Sequence, residues 1–321
     1  MARVTRRPAI EPFADDHVAA AGVLLAERHR RQRLVEPLLS PRFEDPAEAA
    51  AAVADAWSQE GAAGAVAMEG GGVVGYMIGS PKRDDVWGPN GWVENAGYAA
   101  AEPELIRDLY GHLAAGWVPG GRTRHYAVVP AADAAEVDAW FRLSFGQQRA
   151  YGIREIPDGA WPEIVRESTI ADTEALIELG PLVETEHAGT PVFAGVPDST
   201  PEELRSAVEE EIASPAMGSL VAELDGRVVG GAIVAPVEQS DLHTGPTRPE
   251  GQCVLWWQAV APEVRGQGVG VALVDAAFAW ARGRGYTTIV TDWRATNLLA
   301  SRFWPRRGFR TSFMGLYRSI P

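Results

Sequence analysis

Hydrophobic and polar positions alternate between strand-like and helix-like spacing along this chain, and the same succession occurs twice. Residues 9–13 read as a short strand, and a helical stretch follows with Val18, Gly22 and Leu25 on one side. Asp45-Pro46-Ala47-Glu48 has the make-up of a helix start: a capping side chain, a proline at the first position and a glutamate at the third. Residues 67–76 are β-prone around Gly70-Gly71-Gly72 and predict a hairpin. In the second half, residues 164–168 read as the matching first strand. Thr200-Pro201-Glu202-Glu203 is again a proline-led, capped helix start, and residues 222–231 are again a hairpin, turning at Asp225-Gly226. Asp45 and Thr200 are 155 positions apart, and so are Gly71 and Gly226. Two independent features at one offset indicate a duplicated plan. We expect copies over 1–156 and 161–321, joined by the turn-forming segment Ile156-Pro157-Asp158-Gly159-Ala160.

The second copy contains the stretch that carries chemistry. Residues 254–260 are apolar and aromatic and predict a buried strand. After Ala261-Pro262-Glu263 comes Arg265-Gly266-Gln267-Gly268-Val269-Gly270. An apolar helix is then predicted over 271–284, with Val271, Val274, Phe278 and Ala281 on one face. A second strand follows over 286–293, and Asn297 opens a short helix closing at Gly308. The first amides of a helix have no internal partner and carry the positive end of its dipole. Glycines at that point let an anion approach the backbone, so a phosphate or pyrophosphate is the natural guest; a glycine turn alone is equally compatible with tight helix–strand packing.

The flanks narrow that choice. Arg265, Gly268 and Gly270 fit R-x-x-G-x-G. Asp292-Trp293-Arg294-Ala295-Thr296-Asn297, with Ala300, Phe303-Trp304 and Gly308-Phe309, fit a second pattern at the usual separation. These motifs resemble those of the GCN5-related N-acetyltransferase (GNAT) superfamily. The resemblance implies two tandem α/β (α+β) domains, each a mixed, mostly antiparallel sheet flanked by helices. It implies acetyl-CoA as co-substrate, with the pyrophosphate on the amides of Arg265, Gly266, Gln267, Gly268, Val269 and Gly270. The pantetheine arm would pair with the backbone at Gln258, Ala259 and Val260, and Asn297 would touch it. Trp304, which the resemblance also implies as a cofactor-binding residue, stands where many members carry a tyrosine, and an indole N–H is no general acid. Order speaks against a dinucleotide-binding fold: its glycine turn follows the first strand of the domain, and here the turn follows the fourth.

The first copy lacks these features. Its strand over 92–97 leads into Tyr98-Ala99-Ala100-Ala101-Glu102-Pro103, where a glutamate would repel phosphate, and Ala134 stands at the position of Asn297. We expect a structural or substrate-shaping domain.

Composition adds limits. The 321 residues leave room for two domains, and 46% are hydrophobic. A net charge of −14 argues against a nucleic-acid partner and suits a cationic acceptor such as an amine. The single cysteine, Cys253, excludes an internal disulfide and fits a reducing cytoplasm; its strand position marks it as a packed thiol. Arg3, Arg6 and Arg7 are not followed by an apolar run, so no signal peptide is expected, nor a membrane span. No metal is expected, and the assembly is a monomer or homodimer.

Acetyl transfer to an amine needs a base, a donor to the developing oxyanion and a route for the thiolate. For the base, the resemblance points to Asp292; the alternative is a carboxylate paired with Arg294 or another arginine. Glu184, Glu186 and His187, after the first helix of the second copy, are acceptor-site candidates. Asp241 and His243 lie in the loop over 239–251, and Tyr317 is a candidate acid. Trp256, Trp257, Trp293 and Trp304 are core residues or the wall of an aromatic acceptor pocket. The expected function is N-acetylation of a small amine by direct attack in a ternary complex. The tandem plan and length also resemble mycothiol synthase, which acetylates a cysteinyl amine; a non-catalytic acyl-CoA sensor or scaffold is the other class.

Overall fold

The computed structural model describes residues 7–194 and 200–321. Arg3 and Arg6 lie outside the described residues. One compact unit consists of the chain through Ala150 together with Gly245–Thr247 and Ser312–Pro321. The other consists of Tyr151–Thr244 and Arg248–Thr311.

In the first unit, β1 (Ala9–Pro12) leads to helices α1 (Val18–Val35) and α2 (Pro46–Trp57), and then to the hairpin β2 (Ala63–Glu69) and β3 (Gly72–Gly79). Asp45 caps α2 through the Ala47 amide at 2.7 Å, and Pro46 takes the first helical position, as the sequence predicts. After α3 (Asp84–Trp87), the segment predicted as one strand over 92–97 is divided. It forms β4 (Asn90–Val93), a 3-10 turn at Asn95–Gly97, and β5 (Tyr98–Ala100). The sheet order β1-β2-β3-β5 is antiparallel throughout. Helix α4 (Glu104–Trp117), strand β6 (Arg124–Pro130) and helix α5 (Ala134–Phe141) follow, and β4 pairs with β6 in parallel. Leu109, Leu113, Trp117 and Trp140 form a core with β2, β3 and β6.

Strand β7 (Gly146–Glu155) carries the chain into the second unit, where Ile156 donates to the Thr287 carbonyl at 2.9 Å. There β8 (Val165–Glu167) precedes α6 (Thr173–Leu179), α7 (Pro181–Ala188) and α8 (Pro201–Ala213). Thr200 and Glu203 close a reciprocal capping box on α8, as predicted. The hairpin β9 (Gly218–Leu224) and β10 (Arg227–Pro236) turns at Asp225-Gly226, and β11 (Cys253–Val260) is β10's other neighbour.

The apolar helix α9 (Val269–Gly283) begins two residues before its predicted start. Its buried side includes Leu273, Val274, Phe278 and Ala281, whereas Val271, expected on that face, is 38% exposed. Next come β12 (Thr288–Arg294), which starts later than predicted, and α10 (Ala300–Arg306). Pro305 is the penultimate residue of α10, which ends directly after it.

The last strand, β13 (Arg310–Ser319), returns to the first unit. It pairs antiparallel with β6 from Phe313 opposite Pro130 to Ser319 opposite Arg124. Phe313 and Leu316 are fully buried, and Leu316 joins the core of α4 and β6. Residues 151–155 of β7 thus belong to the second unit and Ser312–Pro321 to the first.

Candidate acyl-donor and acceptor site

The site is a parted pair of parallel strands followed by a bare helix start. Strands β11 and β12 pair only at Cys253 with Ile289 and Val254 with Val290. One step further, Thr291 Oγ1 donates to the Leu255 carbonyl at 2.9 Å, so a side chain takes the place of the next ladder bond. The register between β10 and β11 shifts between Ile233 and Val234. Ile233 faces Trp257 and Val234 faces Leu255, leaving Trp256 as the extra residue. Such a bulge bends its strand and increases the local twist. Trp256 is 49% exposed and Trp257 half-buried. From Trp256 to Val260 the ladder to β12 is open.

The far end of β11 leads to the glycine turn. Gly266 and Gly268 have φ of +80° and +90°, and a Cβ built on either meets nothing within 4 Å. Both the left-handed backbone and the open space suit a ligand that lies against the main chain. Gly268 is the N-cap of α9; no side chain caps the helix, and no acidic residue sits in its first turn. These amides therefore remain available to an anion. Gln258 Nε2 donates to the Gly270 carbonyl at 3.1 Å and braces that turn against β11. Arg265 Nε donates to the Val260 carbonyl at 3.3 Å, and its Nη1 donates to Glu186 on α7 at 2.6 Å. Nothing in the sequence pattern announced the bracing by Gln258 or the Glu186–Arg265 pair, because their separations of 12 and 79 positions match no helix or strand repeat.

A family model described as "Acetyltransferase (GNAT) family" matches residues 186–309. Over 119 residues the chain is 35% identical to "Aminoglycoside N(6')-acetyltransferase type 1" of Klebsiella aerogenes, covering 35% of this chain and 74% of the relative. The chain belongs to the GNAT family of acetyltransferases. Among solved structures, a GCN5-related N-acetyltransferase from Sphaerobacter thermophilus has the same fold with TM-score 0.60. Identity is 16%, with coverage of 97% of this chain and 95% of that one. A tandem GNAT protein from the clavulanic acid biosynthesis pathway gives TM-score 0.52 at 14% identity, with coverage of 98% and 99%. The matched family region contains the parted strands, the glycine turn and Asn297 in full. Enzymes of this family use acetyl-CoA as donor.

The remaining candidates of this acetyltransferase fall into two groups. Asp292 is half-buried on β12, two residues beyond the last β11–β12 pair. Asn297 Oδ1 accepts from the amides of Leu299 and Ala300 at 3.0 and 3.1 Å and so opens α10. Glu184, Glu186 and His187 are all on α7, and α7 packs against β11.

Other candidates are packed elsewhere. Trp293 is buried, with its ring where a Cβ on Gly152 would stand. Trp304 is buried with Phe303 and Phe309 edge-on at 5.0 and 5.4 Å. His243 is buried, its Nδ1 3.0 Å from Ser240 Oγ and its ring edge-on to Tyr151. Within the loop that holds it, Gly245–Thr247 belong to the first unit. Tyr317 lies on the part of β13 that pairs with β6, opposite Tyr126 in the first unit. Burial pushes the Cys253 thiol up, as expected of a packed cysteine. Among the described residues no cluster of three or more His, Cys, Asp or Glu could hold a metal. No described helix is long and apolar enough to cross a membrane.

Proposed function

We propose that this chain N-acetylates a small cationic amine at the second unit, by direct attack within a ternary complex. The observation that carries the reading is the coincidence of an open β11 edge with an uncapped α9 start bearing left-handed glycines. Acetyl-CoA, when bound, supplies an activated acetyl thioester. The amides of Gly266, Gly268, Val269 and Gly270 hold its anionic end, whereas those of Arg265 and Gln267, expected to join them, already donate to the Pro262 and Val264 carbonyls at 3.3 Å each. The backbone of Gln258, Ala259 and Val260 pairs with its extended arm, and the opened edge of β11 offers an amide to the developing oxyanion. Asp292 takes the proton from the attacking amine. Trp304 supports α10 by packing and donates no proton. Glu184, Glu186 and His187 line the acceptor side. We further read the chain as copies 1–156 and 161–321 that have exchanged their last strands.

The relative from Klebsiella aerogenes is named for action on aminoglycosides. A net charge of −14 favours such polycationic acceptors over neutral ones. The test joins calorimetry of acetyl-CoA binding to thiol release over a panel of an aminoglycoside, a polyamine and a cysteinyl sugar amine. We expect one equivalent bound and fastest release with the aminoglycoside. Release with the cysteinyl amine alone would favour the mycothiol-type reading; binding with no release would favour a sensor. Gly268→Glu should weaken binding about a hundredfold or more, and unchanged affinity removes the anion site. Asp292→Asn should lower kcat most below the amine's own pKa, and a pH-independent ratio removes Asp292 as the base.

A further inference from the structure

The ion pair between Glu186 and Arg265 occupies the one side chain of the glycine turn that carries a positive charge. Arg265 Nη1 is 2.6 Å from Glu186 Oε1, and both side chains are about one-third exposed, at 34% and 38%. The turn's other nearby carboxylate, Glu263, is engaged separately with Arg227 at 2.9 Å. Arg265 also holds the Val260 carbonyl, so a single guanidinium ties α7 to the end of β11. An anion arriving at the first amides of α9 meets this guanidinium already neutralised by α7.

We infer that Glu186 changes partner during the reaction cycle: it holds Arg265 in the free protein and is released to the cationic acceptor when the donor's phosphates take Arg265. The inference rests on the donor site proposed above and deepens it. A guanidinium binds carboxylate and phosphate with the same fork, and a pyrophosphate carries more charge than one carboxylate. The exchange leaves Glu186 without that cation on a helix packed against β11, whose half-buried Trp257 lies beyond the bulge. A protonated amine restores the charge balance there. Each ligand thus removes the other's competitor, and by linkage each strengthens the other.

The test compares wild type with Glu186→Gln, a substitution that keeps the shape and removes the charge. Coenzyme A is titrated calorimetrically at low and high salt, and steady-state kinetics use the amine of the panel with most thiol release. Glu186→Gln should bind coenzyme A about twofold to fivefold tighter at low salt, the range open to a surface ion pair. The gain should shrink at high salt, where exposed charges are screened. The same variant should show a raised KM for the amine with kcat little changed. Opposite signs at the two ligands are the signature, since simple damage to α7 would weaken both. Unchanged or weaker coenzyme A binding overturns the inference, and so does an unchanged amine KM. If wild type binds no coenzyme A, or Gly268→Glu binds it equally well, the donor-site reading fails and takes the inference with it.

Discussion

The second unit bends its strand with one extra residue, Trp256, whereas the first unit breaks the matching strand with the 3-10 turn Asn95–Gly97. Both interruptions stop a pair of parallel strands, β11 from β12 and β4 from β6. In the second unit the β11–β12 pairing ends at Val254 with Val290, and that edge is the donor site proposed above. In the first the matching edge is filled by Arg28 of α1, only 2% exposed. Its Nη1 donates to the Tyr98 carbonyl, and its Nη2 donates to the Asn95 carbonyl and Oδ1 at 2.6 and 2.8 Å. The guanidinium also stacks on the Tyr98 ring at 4.4 Å. The next helices differ in the same sense. Helix α9 starts at a bare glycine, while α4 starts after Pro103 with Glu104 in its first turn, paired with Arg107 and Arg142. On the proposed reading, one fold supports a site or a plug, according to whether polar backbone groups are left free or bonded internally.

The largest effect that would test this comparison is removal of residues 1–160. A fragment of residues 161–321 keeps the glycine turn but loses β6, the partner of β13. Phe313 and Leu316 then lose their burial, roughly 3–6 kcal/mol for two large side chains. We expect this fragment to be insoluble or unfolded by circular dichroism. A soluble fragment with full thiol release would show that residues 1–160 are dispensable and that the pairing of β13 with β6 is incidental.

Next in size is Arg28→Met. It leaves the Tyr98 and Asn95 acceptors buried without their donor and should cost on the order of 4 kcal/mol in urea unfolding. Acetyl-CoA stoichiometry should remain at one, because the α4 start still presents proline and glutamate. A second equivalent would mean that Arg28 alone closes the first unit.

Local patterns made much of this legible. Proline-led caps, hairpin turns and the glycine turn are sequence-local, and they appear at Asp45, Thr200, Asp225 and Gly268 as read. The hidden features are pairings between distant residues. The return of β13 to β6, the filling of one strand break by Arg28 and the hold of Glu186 on Arg265 have no sequence spacing of their own. The equivalence of Ala134 with Asn297 also needed the structure. The residue that caps α5 as Asn297 caps α10 is Asp133, accepting from the Ala135 and Glu136 amides at 3.1 Å each. Counting from the Trp140 motif missed it by one position.

The smallest effect separates the two units by acid. In the first unit His29 is buried, its Nε2 donates to the Ser40 carbonyl at 2.8 Å, and its Nδ1 has no partner among the described residues. Burial, assisted by the charges of Arg28 and Arg33, lowers its pKa from 6.5 to about 4. The folded state therefore binds fewer protons than the unfolded state between those values. Stability is intact above pH 6.5 and falls as pH drops to about 4, by on the order of 3 kcal/mol. In the second unit Asp172 accepts two bonds from Arg166 at 2.8 Å, and one each from the Thr169 amide and hydroxyl. Arg166 chiefly holds its pKa at about 2, below the ordinary 3.8. That contribution, on the order of 2 kcal/mol, is present above pH 4 and lost as pH falls toward 2. Urea unfolding from pH 8 to pH 2 should show the first unit weakening before the second. His29→Gln should flatten the decline between pH 6.5 and 4 and spare the lower one, and Asp172→Asn should do the reverse. A wild-type stability that is level between pH 6.5 and 4 would show that the His29 imidazole finds water or relaxes on protonation, and the contrast between the units would then end at the strand breaks.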